Sequence, residues 1–431
     1  MAVDTPAKIA ILGAGPIGLE AALYARFLGY QVAIYEQGTE VAAAVQAWGH
    51  VKMFTPFGMN RSPLGLAALA AQDEAYRPPA DDELLTGRQW RERYLVPLSQ
   101  TDLLADHLRL GQRVLRVGKE QLLKGELVGD EQRGDWPFRL LVRDRQGLER
   151  IDEADVVIDA SGVFCGPTAW LGDGSIPAVG EMELTDRGAI EHSLPDLRGA
   201  DRKFYTGQHT LLVGAGYSAA TNLVALAALA KEEPGTRVTW ITRRPLAESP
   251  DAALRGPILV IADDRLPERD ELARQANALA VDPSLNVTHL PETSVHAVSR
   301  TDADGPFQVR LIGRHADTLS CDRIIANVGF RPDRQIYEEL LVHECYASHG
   351  PMKLAAILLS QVSADCLDQQ ACGPQTLITP EPHFYILGAK SYGRNSKFLL
   401  ATGLAQIREV FTIIGDRPTL DLYATRATLN G

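Results

Sequence analysis

Early in the chain the hydrophobic residues change their spacing twice. Residues 8–12 (KIAIL) are a short apolar run of the kind buried on both faces of a parallel sheet. Residues 17–28 then take on helix-forming composition, and 31–35 (QVAIY) return to an apolar strand. Glycines mark the joints. Gly13, Gly15 and Gly18 have the G-x-G-x-x-G spacing, and Gly29 supplies the stop expected after a helix. The first glycine permits a tight turn, the second lets a pyrophosphate approach the main chain, and the third lets the helix pack closely on the strand. Glu36 ends the second strand, where a carboxylate accepts hydrogen bonds from the ribose hydroxyls of an adenosine. With both strands, the helix and the acid in register, the pattern predicts a dinucleotide site.

The same pattern returns later. Residues 209–213 (HTLLV) run into Gly214, Gly216 and Ala219, a helix is expected over 218–231, and 237–241 (RVTWI) form a second strand. No acid follows that strand. Thr242, Arg243 and Arg244 stand there instead. Guanidinium forks suit a 2′-phosphate that a carboxylate would repel, whereas a purely structural reading makes the pair a solvated basic turn before Pro245. Each copy is also trailed by alternating strands and a buried run. A strand at 113–117, a hairpin turning at Gln146 and Gly147, and DVVID at 155–159 leading into ASG serve the first copy. PFQVRLI at 306–312 and CDRIIANVG at 321–329 serve the second. The chain repeats one plan twice.

Elsewhere the periodicity is weaker. Residues 48–65 read as a long loop carrying Trp48, Phe54 and Phe57, and 73–82 as polar surface. Helical character is expected over 87–110 with a break at Pro97, over 263–280, and at 337–341 and 353–359. Residues 366–379 read as an irregular loop, 383–388 as a buried strand, and 397–414 as a final helix stopped by Gly415. A strand and helix after the second copy indicate a return to the first domain. The predicted fold class is α/β, with two Rossmann-like dinucleotide-binding domains. The expected boundaries are 1–163 with 331–431 for a discontinuous first domain, 164–203 for a linker, and 204–330 for an inserted second domain.

Composition narrows the partners. The 431 residues are 45% hydrophobic and 23% charged, as in an ordinary globular protein, and the net charge of −12 disfavours nucleic acid or an anionic membrane surface. Five cysteines, an odd number, do not resemble a disulfide framework, which together with the lack of a signal-peptide pattern gives a cytoplasmic expectation. Residues 211–230 are long enough to suggest a membrane span but contain Ser218, Thr221 and Asn222 and open on a glycine turn, so no membrane partner is expected. Nothing in the sequence opposes a homo-oligomer.

Two nested dinucleotide units in this order resemble the two-dinucleotide-binding-domain flavoproteins, the superfamily of the pyridine-nucleotide disulfide reductases and the flavin-containing monooxygenases. Residues 11–18 are similar to its FAD phosphate turn and Glu36 to its ribose acid. DASG at 159–162 resembles its crossover motif, and NVGFRPD at 327–333 the motif closing the second domain. The resemblance implies that FAD is held by Gly13, Gly15, Pro16, Ile17, Gly18 and Glu36, with Val114, Ser161, Gly162, Gly388 and Ser396 completing the site. It implies NADPH at Gly214, Gly216, Ser218 and Ala219, with Arg243 and Arg244 on the 2′-phosphate. Ser396 enters with Asn395 and Lys397, where the final helix would begin and its N–H groups could meet negative charge on the flavin.

The branch follows from what is missing. No cysteine occurs before Cys165, and Cys366 and Cys372, separated by five residues, lack the C-x-x-C spacing of a redox pair. The last strand runs into Gly388 and Ala389 without the acid that the reductases place there. The turn G-A-G-Y-S-A resembles the monooxygenase form, and Gly188 and His192 match part of a monooxygenase fingerprint in which Asp186 and Asp196 depart from the aromatic positions. The expectation is an oxygenase that uses O2 to hydroxylate nitrogen or sulfur in a small molecule. The alternative is a reductase of a small acceptor without a cysteine relay.

Such chemistry needs an apolar, closed pocket with few donors. Asn60, in MNRSP, resembles an active-site Asn that some members place beside the flavin, and its amide is the one catalytic candidate; the structural reading of the same residue is a turn cap. His192 is read as a linker or NADPH contact, or as structural. His343, Cys345, His349, Cys366 and Cys372 match no compact metal pattern, so no metal is expected. Cys165 is read as a small buried hydrophobe, and Trp48, Trp90 and Trp170 as core or loop anchors.

Overall fold

The structure, a computed structural model, describes residues 2–424 apart from 165, 248, 250, 252–253, 283–285, 303, 362, 364 and 370. Cys165 is therefore outside the described residues. The chain divides into two compact units, Met1–Pro167 with Arg331–Gly431, and Thr168–Phe330. The stretch expected as a linker is shared out between them: residues to Pro167 stay with the first unit, and those from Thr168 onward pack within the second.

The first unit is built on a parallel sheet of five strands. Strand β1 (Lys8–Leu12) lies between β2 (Gln31–Glu36) and β7 (Val156–Asp159), with β3 (Leu108–Leu110) and the Phe384–Ile386 strand at the edges. Burial on both faces explains why these strands read as continuous apolar runs: Ile9, Ala10 and Ile11 are fully covered. The first helix, Pro16–Phe27, starts with proline at its first turn and is buried from Ile17 to Ala25, so it is apolar nearly all round. It is covered by the final helix, Leu400–Ile414, through a stacked Tyr24–Phe411 pair with centroids 5.0 Å apart. A second, antiparallel sheet of β4 (Arg113–Lys119), β5 (Phe138–Arg143) and β6 (Glu149–Ala154) closes the other face of the parallel sheet through Phe138, Leu140 and Phe384.

Several local expectations shift. The 48–65 loop ends where Ser62 caps a Pro63–Gln72 helix by accepting the Gly65 N–H at 2.7 Å. The expected 87–110 helix stops at Ser99. Its irregularity is a π-helical stretch at Arg91–Leu95, ahead of Pro97, and residues 108–110 are instead the edge strand β3. The final helix begins at Leu400, because Asn395 Oδ1 accepts the Lys397 N–H at 3.0 Å and holds that segment in a turn.

The second unit repeats the scheme. Strands β8 (His209–Val213), β9 (Arg237–Ile241), β10 (Val287–Leu290) and β14 (Arg323–Ala326) form a parallel sheet ordered β10-β9-β8-β14. Strands β11 (Thr293–Arg300), β12 (Phe307–Gly313) and β13 (Thr318–Cys321) form its antiparallel companion. The first strand of each antiparallel sheet carries a register shift, at Val114/Arg116 and at Val295/Ala297. Helices Tyr217–Glu232 and Pro267–Leu279 pack on the parallel sheet around the fully buried Trp240. Among the described residues no helix is long and apolar enough to cross a membrane.

Candidate functional site

In an open parallel sheet the crevice opens where the chain leaves adjacent strands in opposite directions, beyond their carboxyl ends. In the first unit that place lies between β1 and β7, and an open cleft is found there. Gly13, Glu36, Val114, Ser161 and Gly162, all expected at a cofactor site, line it together. Its walls also include Gln37, Gln112, Arg113 and Asp333, which sequence reasoning did not single out. Asp333 closes the NVGFRPD motif, which is a usable signal; Gln112 and Arg113 carry none, because they are brought to the cleft by the Gln112 N–H donating to Glu36 O at 2.8 Å.

The turn itself is tightly determined. Gly13 has φ +101°, and a Cβ there would lie 2.8 Å from Ala160 O. A Cβ on Gly18 would lie 1.9 Å from Gly13 O, so the third glycine is demanded by the helix seat. A Cβ on Gly15 would meet nothing within 4 Å. Gly15 caps the helix without a side-chain hydrogen bond, leaving the amides of Ile17 and Gly18 free for an anion in the open space beside them. Glu36 is 8% exposed and serves the turn before any ligand does. Its Oε2 accepts the Ala14 N–H at 2.9 Å and its Oε1 the Gly38 N–H at 2.7 Å. Each oxygen keeps a further lone pair for a ribose hydroxyl. An open glycine face, free helix amides and a fixed carboxylate fit an adenosine dinucleotide.

Three expected contacts are placed otherwise. The Gly388 N–H donates to Gln406 Oε1 at 2.9 Å and Gly388 packs on Ile17, so its amide is already engaged. The Ile17 side chain fills the space left by Gly388 and Gly403, tying the first turn to the final helix. Ser396 is exposed in the segment before Leu400 and is not at a helix N-terminus. Asn60 is 7% exposed, and its amide is committed to its own loop: Nδ2 donates to Thr55 O at 3.0 Å, Thr55 Oγ1 at 2.8 Å and Pro56 O at 2.9 Å. Its main-chain carbonyl accepts from Trp90 Nε1 at 2.9 Å, and its Oδ1 from Thr55 Oγ1 at 3.1 Å. The loop brace, not a donor aimed at a reacting oxygen, accounts for these bonds.

The second unit carries the matching turn. Gly214 has φ +136° and sits against Asn327 O, 2.3 Å from where its Cβ would lie, while Gly216 faces open space. Trp240 Nε1 donates to Gly214 O at 2.8 Å, so the largest buried side chain fixes the turn. Ser218 is exposed beside it and Ala219 is fully buried under the helix. Where β2 ends in Glu36, β9 is followed by Thr242, whose Oγ1 pairs with His289 Nε2 at 3.0 Å. Burial pushes the His289 imidazole down to about 4, so the ring is neutral at ordinary pH. Arg243 and Arg244 are exposed, and neither forms an ion pair among the described residues. His192, in the same unit, is held below its ordinary value by burial, although Glu191 opposes the shift.

Among the described residues no cysteine is in a disulfide: Cys321 and Cys345 are buried, and Cys366 and Cys372 are partly exposed. No group of three or more His, Cys, Asp or Glu side chains that could hold a metal ion forms among them.

A family model described as the C-terminal domain of alanine dehydrogenase/PNT matches residues 2–171. No curated protein sequence matches the chain. Among solved structures, the bacillithiol disulfide reductase Bdr (YpdA) from Bacillus cereus is similar at 17% identity and a TM-score of 0.64, covering 95% of this chain and 99% of that one. The ornithine N-hydroxylase KtzI from Kutzneria sp. 744, solved with reduced FAD, NADP+ and L-ornithine, is similar at 16% identity and a TM-score of 0.60, covering 96% and 100%. DfoA, an FAD-bound cadaverine monooxygenase of desferrioxamine biosynthesis from Erwinia amylovora, is similar at 15% identity and a TM-score of 0.58, covering 96% and 95%. The chain has the α/β fold of these flavoproteins, with two Rossmann-type domains, and the resemblance drawn from its motifs holds at the level of the fold.

Proposed function

We propose that this protein is an FAD-dependent oxidoreductase that draws hydride from NADPH and uses O2 to hydroxylate nitrogen or sulfur in a small molecule. The observation that carries the reading is the contrast between two like turns, one followed by Glu36 and the other by Thr242, Arg243 and Arg244. In this reading Glu36 holds the ribose of FAD, and the open face of Gly15 with the amides of Ile17 and Gly18 receives its diphosphate. Gly216 and the helix that follows receive the NADPH diphosphate, and the two guanidinium groups receive the 2′-phosphate. When bound, FAD supplies the acceptor for hydride and the reducing electrons for oxygen; the protein supplies placement and exclusion of water. Asn60 is left out of the catalytic assignment because its donors are engaged.

Solved relatives of this fold named as an ornithine N-hydroxylase and a cadaverine monooxygenase support oxygenation of a small amine. A second reading is a reductase acting without a cysteine relay, favoured by the bacillithiol disulfide reductase among the similar structures. The test is the balance of turnover with FAD, NADPH and candidate amines or thioethers. The first reading expects one O2 consumed and one hydroxylated product per NADPH. Equal turnover under strict anaerobiosis with a quinone or disulfide acceptor, and no oxygenated product in air, supports the reductase instead.

A further inference from the structure

Behind the wall of the first cleft lies a charged pair that neither the turn nor the fold requires. Asp159 ends β7, and Lys390 lies 231 positions further on, in the Gly388–Tyr392 turn that follows the last strand. Lys390 Nζ donates to Asp159 Oδ2 at 2.6 Å, and both side chains are 0% exposed. The same ammonium donates to Ser161 Oγ at 3.0 Å and sits 5.2 Å from the centre of the Tyr337 ring. Ser161 in turn donates its hydroxyl to Asp159 Oδ1 at 2.6 Å and its N–H to the same oxygen at 3.1 Å. Ser161 and Gly162 both face the cleft, and Gly162 holds φ +71°.

Taking two charges out of water costs more than a close apolar contact would, so a fully buried pair is weak evidence for stability and calls for another role. Here each polar atom of the pair leads to Ser161. We infer that Lys390 is a positioning residue for the dinucleotide at the first turn, acting through Ser161. The carboxylate closes an Asx turn that sets the backbone of 159–162, and the ammonium fixes the serine hydroxyl, so the crossover segment meets the cofactor in one conformation. The lysine also neutralises a carboxylate that would otherwise stand next to a diphosphate site. Its sequence position, two residues after Gly388 and with no acid between, places this cation where the strand end would otherwise present only glycine and alanine. This rests on FAD being the occupant of the first turn.

The experiment is a cycle of Lys390→Met, Asp159→Asn and the double variant. FAD affinity is measured by titrating FAD into the apoprotein, the visible circular dichroism of the bound flavin is recorded at saturation, and the thermal midpoint is followed separately. Asn keeps the oxygen that Ser161 bonds, and Met keeps the length of Lys without its charge. Each single variant leaves one buried charge unpaired, so its thermal midpoint drops. The double variant recovers the midpoint yet binds FAD about tenfold more weakly and shows altered flavin dichroism, because the ammonium on Ser161 is gone. Recovery of the midpoint, the affinity and the dichroism together in the double variant makes the pair purely structural and overturns the inference. A wild-type protein that takes up no FAD overturns the functional reading, and this inference with it.

Discussion

The two glycine turns are built alike and end differently. Both open with a glycine at positive φ, packed against the crossover segment of the neighbouring strand, and both place a glycine with open space beside it at the start of the helix. They diverge at two points. The third small residue is Gly18 in the first unit, where a Cβ would lie 1.9 Å from Gly13 O, and the fully buried Ala219 in the second. The strand that follows ends in a carboxylate already bonded to two main-chain amides in the first unit, and in a threonine with two exposed arginines in the second. In the proposed function the shared parts set a dinucleotide backbone, and the divergent parts choose which dinucleotide. On that proposal a fold is duplicated while its cofactor choice rests on one or two side chains at a strand end.

The comparison is most easily broken at the third small residue. Gly18→Ala is expected to destabilise the first unit by about 3 kcal/mol, since neither backbone can give way. Ala219→Gly is expected to cost only about 1 kcal/mol, the helix propensity difference. Equal losses in denaturant unfolding would mean that the two helices are seated alike.

Next comes the acid inside the first helix. Glu20 is 2% exposed and burial pushes its carboxyl up to about 7, against the lowering influence of the nearby Ser62 and Tyr423; the equivalent position of the second helix is Thr221, which bonds Tyr217 O. A carboxyl whose folded value exceeds its unfolded one favours the native state least when ionised. The contribution of Glu20 to the stability of the first unit is therefore most favourable below about 4.5, falls as pH rises from about 4.5 to 7, and is level above. Glu20→Gln should remove that slope, a difference on the order of 3 kcal/mol at pH 8, measurable by urea unfolding at a series of pH values. Thr221→Val should leave the slope as it is.

The cofactor side of the contrast is sharpened by Arg243→Ala with Arg244→Ala. Losing charge-assisted bonds to a 2′-phosphate raises the KM for NADPH roughly 30-fold while leaving that for NADH within about twofold. Parallel changes with both cofactors would remove the 2′-phosphate assignment. The smallest expected effect is that of Glu36→Gln, which leaves one of the Ala14 and Gly38 amides facing an NH2 group. It should lower stability by about 1 kcal/mol and weaken FAD binding in a fluorescence titration, with NADPH affinity unchanged.

The legible part of this molecule was the local part. The Lys8–Leu12 strand, the glycine turn, the helix and Glu36 follow from contacts within one short unit, and the same holds for Arg237–Ile241 and the arginines after it. Where local signals compete with tertiary ones, sequence pattern and structure part. Three residues suffice for β3 because β2 supplies its partner, and so short a strand has no period to detect. The final helix starts late because the Asn395 side chain captures an amide that helical composition alone would have assigned to the helix. Within the site, the engagement of Gly388 by Gln406 and of Asp159 by Lys390 joins residues 18 and 231 positions apart, and neither pairing leaves a spacing in the sequence. Asn60 offers an amide donor by its chemistry, and its partners four and five residues away give that amide a structural task.

The proposed division of cofactors between the two turns is tested most directly by an absorbance spectrum of the purified protein. The account predicts flavin bands in the protein as isolated or after FAD addition, bleached by anaerobic NADPH and far less readily by the same concentration of NADH. A protein that carries no flavin bands after FAD addition, or whose bands NADPH leaves unchanged, would contradict it.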